Sequence, residues 1–185
     1  LDRTPRRRTV YMPHMGDMLY GIAAAARAYG IDLRVVDTNR ESLEAGLDYA
    51  SGKECLPYVL CVGNIVKTLK SPDFDRKNSA FFMTSSAGPC RLGQYEHGIR
   101  RVVDDLGYPD VDIVSFHQSK GHLTQHVGIG FTLHCYRGLV AVAEVERLAR
   151  QIRPFEVEAG ATDRAYAESL AKVCETLERG KKPYG

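Results

Sequence analysis

Thr9–Asp37, TVYMPHMGDMLYGIAAAARAYGIDLRVVD, holds two short apolar runs, Thr9 to Met12 and Leu33 to Asp37, on either side of a stretch with a different period. Both runs are bounded by turn residues, the pattern of strands buried in a parallel sheet. Between them Met18, Leu19, Ile22, Ala23, Ala26 and Tyr29 recur at helical spacing, and Gly30 comes next, where a C-terminal cap would sit. The stretch therefore reads as one strand–helix–strand unit.

The same alternation continues outward. A polar helix is expected near Asn39 to Tyr49, then an apolar one beginning beside Cys55-Leu56-Pro57, where Pro57 suits the first turn because its missing N–H costs nothing there. Ser79 to Thr84 reads as a third strand and Val111 to Phe116 as a fourth. The third strand runs into the tight segment Ser85 to Cys90, after which Ile99, Val102, Val103 and Leu106 form a helical apolar face ended by Gly107. A glycine- and histidine-rich loop, Gly121 to Gly130, precedes a helix carrying Leu139, Val140, Val142, Val145, Leu148 and Ile152, which Pro154 stops. A last amphipathic helix covers about Asp163 to Glu178, with Asp163 favouring the positive end of its dipole. The expected fold class is α/β: a mostly parallel sheet of four strands with helices on both faces, in a flavodoxin-like or Rossmann-like order. In such sheets ligands gather beyond the carboxyl ends of the strands.

The 185 residues suit one domain, and a domain of that size removes roughly 70% of its unfolded surface from water. Charged residues make up 26% and hydrophobic ones 44%, and the formal charge of +2 points to no polyanionic partner. Residues 1–8 are basic and read as an exposed tail rather than a nucleic-acid arm, since no basic stripe or base-stacking platform continues them. No stretch approaches the ~20 apolar residues of a bilayer span, and no signal-peptide core is visible, so a cytoplasmic protein with no membrane partner is expected. Residues 179–185 read as a truncated linker, which makes the chain a fragment of a longer one.

Five cysteines without export signals argue against a disulfide framework. Cys55 stands two residues before Pro57, and Cys90 directly succeeds Pro89, so each thiol is expected at a helix N-terminus. Unpaired N–H donors and a partial positive charge there lower a thiol pKa and stabilise thiolates or cluster sulfides. Gly88, in the loop before Cys90, would allow positive φ and close backbone approach to an anionic cluster or a phosphate. Spacing alone favours a plainer reading, because the two cysteines lack a close CxxC pairing and free cysteines are often small buried hydrophobes. Cys61, Cys135 and Cys174 read as packing residues, with Cys61 near enough to be a spare ligand. His122 and His126, four apart with His134 and Cys135 nearby, raise a zinc site, against which the flanking glycines and the missing carboxylate weigh. His14, in the first strand-to-helix turn, is a candidate substrate contact, with turn-building and capping by Asp17 the structural alternative. No GxSxG elbow, Walker A or GxGxxG sequence supports a hydrolase, ATPase or nicotinamide enzyme.

Read together, Tyr11–Asp17, Ser51–Pro57, Phe81–Met83 and the segment Gly88-Pro89-Cys90-Arg91-Leu92-Gly93-Gln94-Tyr95 resemble the dehydratase-like region of the large CoA-substrate-specific enzyme activases, in the 2-hydroxyacyl-CoA dehydratase group. Arg153–Glu156 and the Lys181–Pro183 tail add to the resemblance, which spans nearly the whole chain and is most specific in the GPCRLGQY segment. The resemblance implies an iron–sulfur cluster, of 4Fe-4S or double-cubane type, with Cys55 and Cys90 as its first two ligands. It places Gly88 and Arg91 at the cofactor and draws the third ligand from a second cluster-binding domain beyond residue 185. It further implies low-potential electron transfer for acyl-CoA dehydration in anaerobic metabolism, with acyl-CoA or a dehydratase or activase protein as partner. The full-length protein would be a dehydratase or an ATP-dependent activase, and this piece alone would be inactive. The alternatives left open are a noncatalytic CoA- or partner-binding module that keeps the fold without the cluster, and a thiol-redox nucleophile at Cys90.

Overall fold

The computed structural model of the protein describes residues 8–86, 88–117 and 128–180. The Gly121 to Gly130 loop falls mostly outside them, with His122 and His126. The described chain divides into two compact units, one of residues up to Met15 plus Ile31–His126, the other of Gly16–Gly30 plus the chain from Val127 onward.

The first unit contains the sheet. Strands β1 (Thr9–Pro13), β2 (Asp32–Val36), β3 (Ser79–Ser85) and β4 (Asp112–His117) lie within about a residue of the apolar runs that announced them. All pair in parallel in the order β2-β1-β3-β4, so the fold is α/β with a four-stranded parallel sheet. The order is the flavodoxin-like one, with the switch point between β1 and β3. Tyr11 lies opposite Arg34 on one side and Phe81 on the other, which fixes the register.

Three helices belong to this unit: α2 (Arg40–Leu47), α3 (Leu56–Lys70) and α4 (Tyr95–Asp105). Helix α2 starts at a reciprocal capping box, in which the Asn39 side chain accepts from Ser42 N–H at 3.0 Å while Ser42 Oγ accepts from Asn39 N–H at 3.3 Å. It crosses α3 so closely that two side chains must be missing. A Cβ on Gly46 would come within 2.0 Å of the Val59 carbonyl oxygen, and one on Gly63 within 1.6 Å of that of Ser42. The core joins Cys61, Val62, Ile65, Val66 and Leu69 of α3 to Phe81 and Met83 of β3 and to Ile99, Val102 and Val103 of α4. It is the helical period of α3 and α4 meeting the two-residue period of β3.

The second unit is built from α1 (Met18–Ala28), α5 (Ile129–Ile152) and α6 (Ala161–Arg179). Helix α5 begins at Ile129, so Gly130, expected in the loop, is helical. Gly21 and Gly138 meet backbone to backbone where α1 crosses α5. Asp17 sits at the N-cap of α1 but does not cap it, because its carboxylate accepts from Tyr166 Oη at 2.6 Å. Glu156 supplies the corresponding service to α6, accepting from the N–H groups of Gly160 and Thr162 at 3.0 Å each. Among the described residues no helix is long and apolar enough to cross a membrane.

Candidate functional site

The site begins with a carboxylate turn. Glu54 accepts from Ser51 N–H at 2.9 Å, from Ser51 Oγ at 2.9 Å and from Lys53 N–H at 3.2 Å. These bonds hold the Glu54 carboxyl below the ordinary carboxylate range, with the Ser51 hydroxyl the largest cause. The turn delivers Cys55 to the N-cap of α3 in an extended conformation, φ −75° and ψ 148°, with Pro57 in the first helical turn.

The second thiol arrives from β3. Cys90 is exposed and also occupies an N-cap, φ −70° and ψ 135°, but it opens a short 3₁₀ turn, Arg91–Gln94, that runs directly into α4. Both cysteines thus stand at helix starts, as the prolines beside them indicated.

Two contacts stitch these segments together. Arg91 Nη1 donates to the Lys53 carbonyl at 2.8 Å, and Cys55 Sγ lies 2.7 Å from Tyr95 Oη. Tyr95 is the first residue of α4, so the turn carrying Cys90 passes straight into the residue that touches Cys55. Its ring is buried and packs edge-on to Tyr58, with centroids 5.2 Å apart at 70°. Gly98 makes room for that pair, since a Cβ there would fall 2.4 Å from Tyr58 Oη.

The electrostatics mirror the contacts. The Tyr95 hydroxyl is the largest influence on the Cys55 thiol and lowers its pKa against partial burial. The nearby N–H groups of Tyr58 and of Cys55 itself and the Arg91 guanidinium act the same way, although no N–H closes a capping hydrogen bond to the sulfur. Tyr95 is pushed well above its ordinary value, by burial first and then by its bond to Cys55, with Cys61 and Cys90 adding to the effect. Two open cavities adjoin here: one of about 280 Å³ lined by Cys55, Tyr58, Arg91 and Tyr95, the other of about 430 Å³ lined by Ser85, Ser86, Cys90 and His97. Gln94 lines both.

Comparison with protein-family models, with curated proteins and with solved structures finds no match to this chain. The chemistry of the site therefore rests on its own residues.

Some sequence expectations change here, while the packing role of Cys135 holds. Cys61 is not a spare ligand: it is 1% exposed within the α3 core, and burial pushes its thiol up to about 12. Open space surrounds the position that a Cβ on Gly88 would take. The glycine that the loop requires is Gly93, where a Cβ would meet the Ser86 carbonyl oxygen at 2.3 Å. Arg91 holds the Lys53 carbonyl, so what it demonstrably does is brace one cysteine segment against the other. Cys135 is buried and raised to about 11, and His134 turns Nε2 to the Leu177 carbonyl at 2.9 Å; both serve packing in the second unit. His14 is half-buried just past β1, its backbone N–H donating to Val36 at 3.2 Å.

Among the described residues no three His, Cys, Asp or Glu side chains gather closely enough to hold a metal ion. What the site does offer is an exposed thiol, Cys90, and a partly buried one, Cys55, on stitched segments, with Cys55 favoured as thiolate. Two thiols would supply only part of a thiolate-ligated centre, whose remaining ligands would have to come from elsewhere. Tyr58, Tyr95 and Glu54 are neighbours of Cys55 that the cysteine pattern did not reveal. Tyr95 lay inside the GPCRLGQY segment, but nothing in a linear sequence pairs it with a cysteine forty residues away.

Proposed function

We propose that this domain supplies Cys55 and Cys90 as two ligands of an iron–sulfur cluster in a cytoplasmic 2-hydroxyacyl-CoA dehydratase or its activase. One observation carries the reading: a thiolate-favouring Cys55 and the segment bearing Cys90 are tied together at an open surface by Tyr95 and Arg91. Cys90 is exposed and Cys55 only partly buried, whereas Cys61 lies inside the core.

When bound, such a cluster supplies a low-potential one-electron carrier for removal of water from a 2-hydroxyacyl thioester. The residues of this chain present two sulfurs, orient one by the Tyr95 hydroxyl, and surround it with N–H groups and a guanidinium that favour negative charge. The remaining ligation is assigned to a further domain, and acyl-CoA or a dehydratase or activase protein is the partner.

The test is anaerobic reconstitution of the full-length protein with iron and sulfide, and then iron and sulfide analysis. Loss of cluster in both Cys55→Ala and Cys90→Ala is expected; undiminished cluster content in both contradicts the assignment. A second reading gains from the same contact, that of a thiol nucleophile. The contact favours Cys55 over Cys90 for that role, because the Tyr95 bond falls on Cys55. An iron-free protein in which Cys55 alone is rapidly alkylated would favour it.

A further inference from the structure

The Cys55–Tyr95 contact has a feature that cluster ligation alone does not require. A bare thiolate ligand needs a sulfur and an open side facing the metal, and neighbouring aliphatic side chains would serve to pack it. Here the sulfur instead meets a phenolic oxygen 2.7 Å away, on a side chain 5% exposed. The ring cannot swing freely, because Tyr58 lies edge-on against it and Gly98 is kept small to admit Tyr58. Three residues on two helices therefore fix one hydroxyl against one sulfur.

We infer that Tyr95 is a tuning residue for the sulfur of Cys55, donating a hydrogen bond to it as thiolate and thereby raising the reduction potential of the centre that Cys55 holds. The inference rests on the cluster reading and goes beyond it, since ligation by Cys55 and Cys90 stands with or without a donor at Tyr95. A hydrogen bond to a ligand sulfur stabilises the more electron-rich, reduced state of a cluster, because added electron density resides partly on sulfur. Burial strengthens the effect by removing water that would otherwise compete for the sulfur. The opposite sulfur, on exposed Cys90, has no such side-chain donor among the described contacts, so the two ligands would share electron density unequally.

The geometry also gives Tyr95 a positional role. It is the residue in which the Cys90 turn becomes α4, so displacement of that turn moves the hydroxyl relative to Cys55. The Arg91 bond to the Lys53 carbonyl restrains that displacement.

The experiment compares the full-length protein with its Tyr95→Phe variant, both anaerobically reconstituted and both checked for an unchanged thermal midpoint. Midpoint potentials are read by redox titration with electron paramagnetic resonance. The variant should keep its iron and sulfide and move to lower potential, with roughly a tenfold change in the reduction equilibrium, which is 59 mV for one electron. Exchangeable-deuteron coupling to the cluster should weaken in the same variant. Equal potentials in two cluster-loaded proteins overturn the inference while leaving the ligation intact. A folded Tyr95→Phe that holds no cluster also overturns it, because the hydroxyl would then serve assembly rather than tuning. Absence of a cluster in the unaltered protein defeats the underlying reading instead.

Discussion

Cys55 and Cys61 sit six residues apart, one at the cap of α3 and the other within it, and their surroundings push the two thiols in opposite directions. Cys55 stands beside Tyr95, which lowers its pKa, whereas Cys61 faces the core, where burial pushes the thiol up to about 12. Because the thiolate is the nucleophile, metal-free protein treated with iodoacetamide at neutral pH should label Cys55 long before Cys61 or Cys135. Peptide mass spectrometry checks the order, and comparable labelling of Cys55 and Cys61 would count against it. Tyr95→Phe should slow Cys55 labelling several-fold without touching the other thiols. The thiols' positions were legible because Pro57 and Pro89 mark chain segments about to turn helical. Tyr95 was not, since a contact between residues 55 and 95 exists only once α3 and α4 have packed. Nor does the sequence show which glycine of this segment faces a carbonyl, and that one is Gly93.

At the scale of elements, close crossings and caps set the constraints. Helices α2 and α3 touch through Gly46 and Gly63, and a methyl on Gly63 would meet a backbone oxygen at 1.6 Å. Gly63→Ala should therefore destabilise the first unit at the upper end of, or beyond, the roughly 1–3 kcal/mol of overpacking, since no rotamer change can relieve a backbone clash. Urea denaturation measures it, and an unchanged midpoint would show that the helices can separate without penalty. In the second unit the Glu156 carboxyl is held down to about 2 by the N–H groups of Gly160 and Thr162 and the Thr162 hydroxyl, against an ordinary value of 4.5. A depressed carboxyl stabilises the folded state fully above its unfolded value and loses that contribution as pH falls from about 4.5 towards 2. Glu156→Gln should flatten acid destabilisation in that window, as read from circular dichroism of α-helix content. Periodicity revealed the helices themselves, because each has one apolar face. It could not reveal Glu156, whose role depends on the chain turning back at Gly160, nor the redirection of Asp17 from capping to Tyr166, a contact across 149 residues.

For the molecule as a whole, the order β2-β1-β3-β4 places the end of β3, and with it Cys90, beside the switch point of the sheet. Alternation of strands and helices made the α/β class legible from the Thr9–Asp37 unit outward; the choice of flavodoxin-like over Rossmann-like order became visible only in the pairing of β1 with β3. Phe81 anchors that pairing, fully buried and stacked on Phe74 at 6.0 Å. Phe81→Ala should cost roughly 3–5 kcal/mol, a large share of the about 5–15 kcal/mol that typical domains possess. Guanidinium denaturation monitored by circular dichroism tests it, and a loss under about 1 kcal/mol would show that Phe81 is not the keystone of the sheet. The segment that leaves β3 carries Cys90, and Arg91 ties it to the turn that carries Cys55. The most direct measurement is an alkylation footprint of the protein with and without anaerobically loaded iron and sulfide. Cys55 and Cys90 should be shielded together in the loaded protein and become reactive together once a chelator strips it, with Cys61 silent in both. Labelling of Cys55 and Cys90 at the same rate in the two states would contradict the cluster assignment.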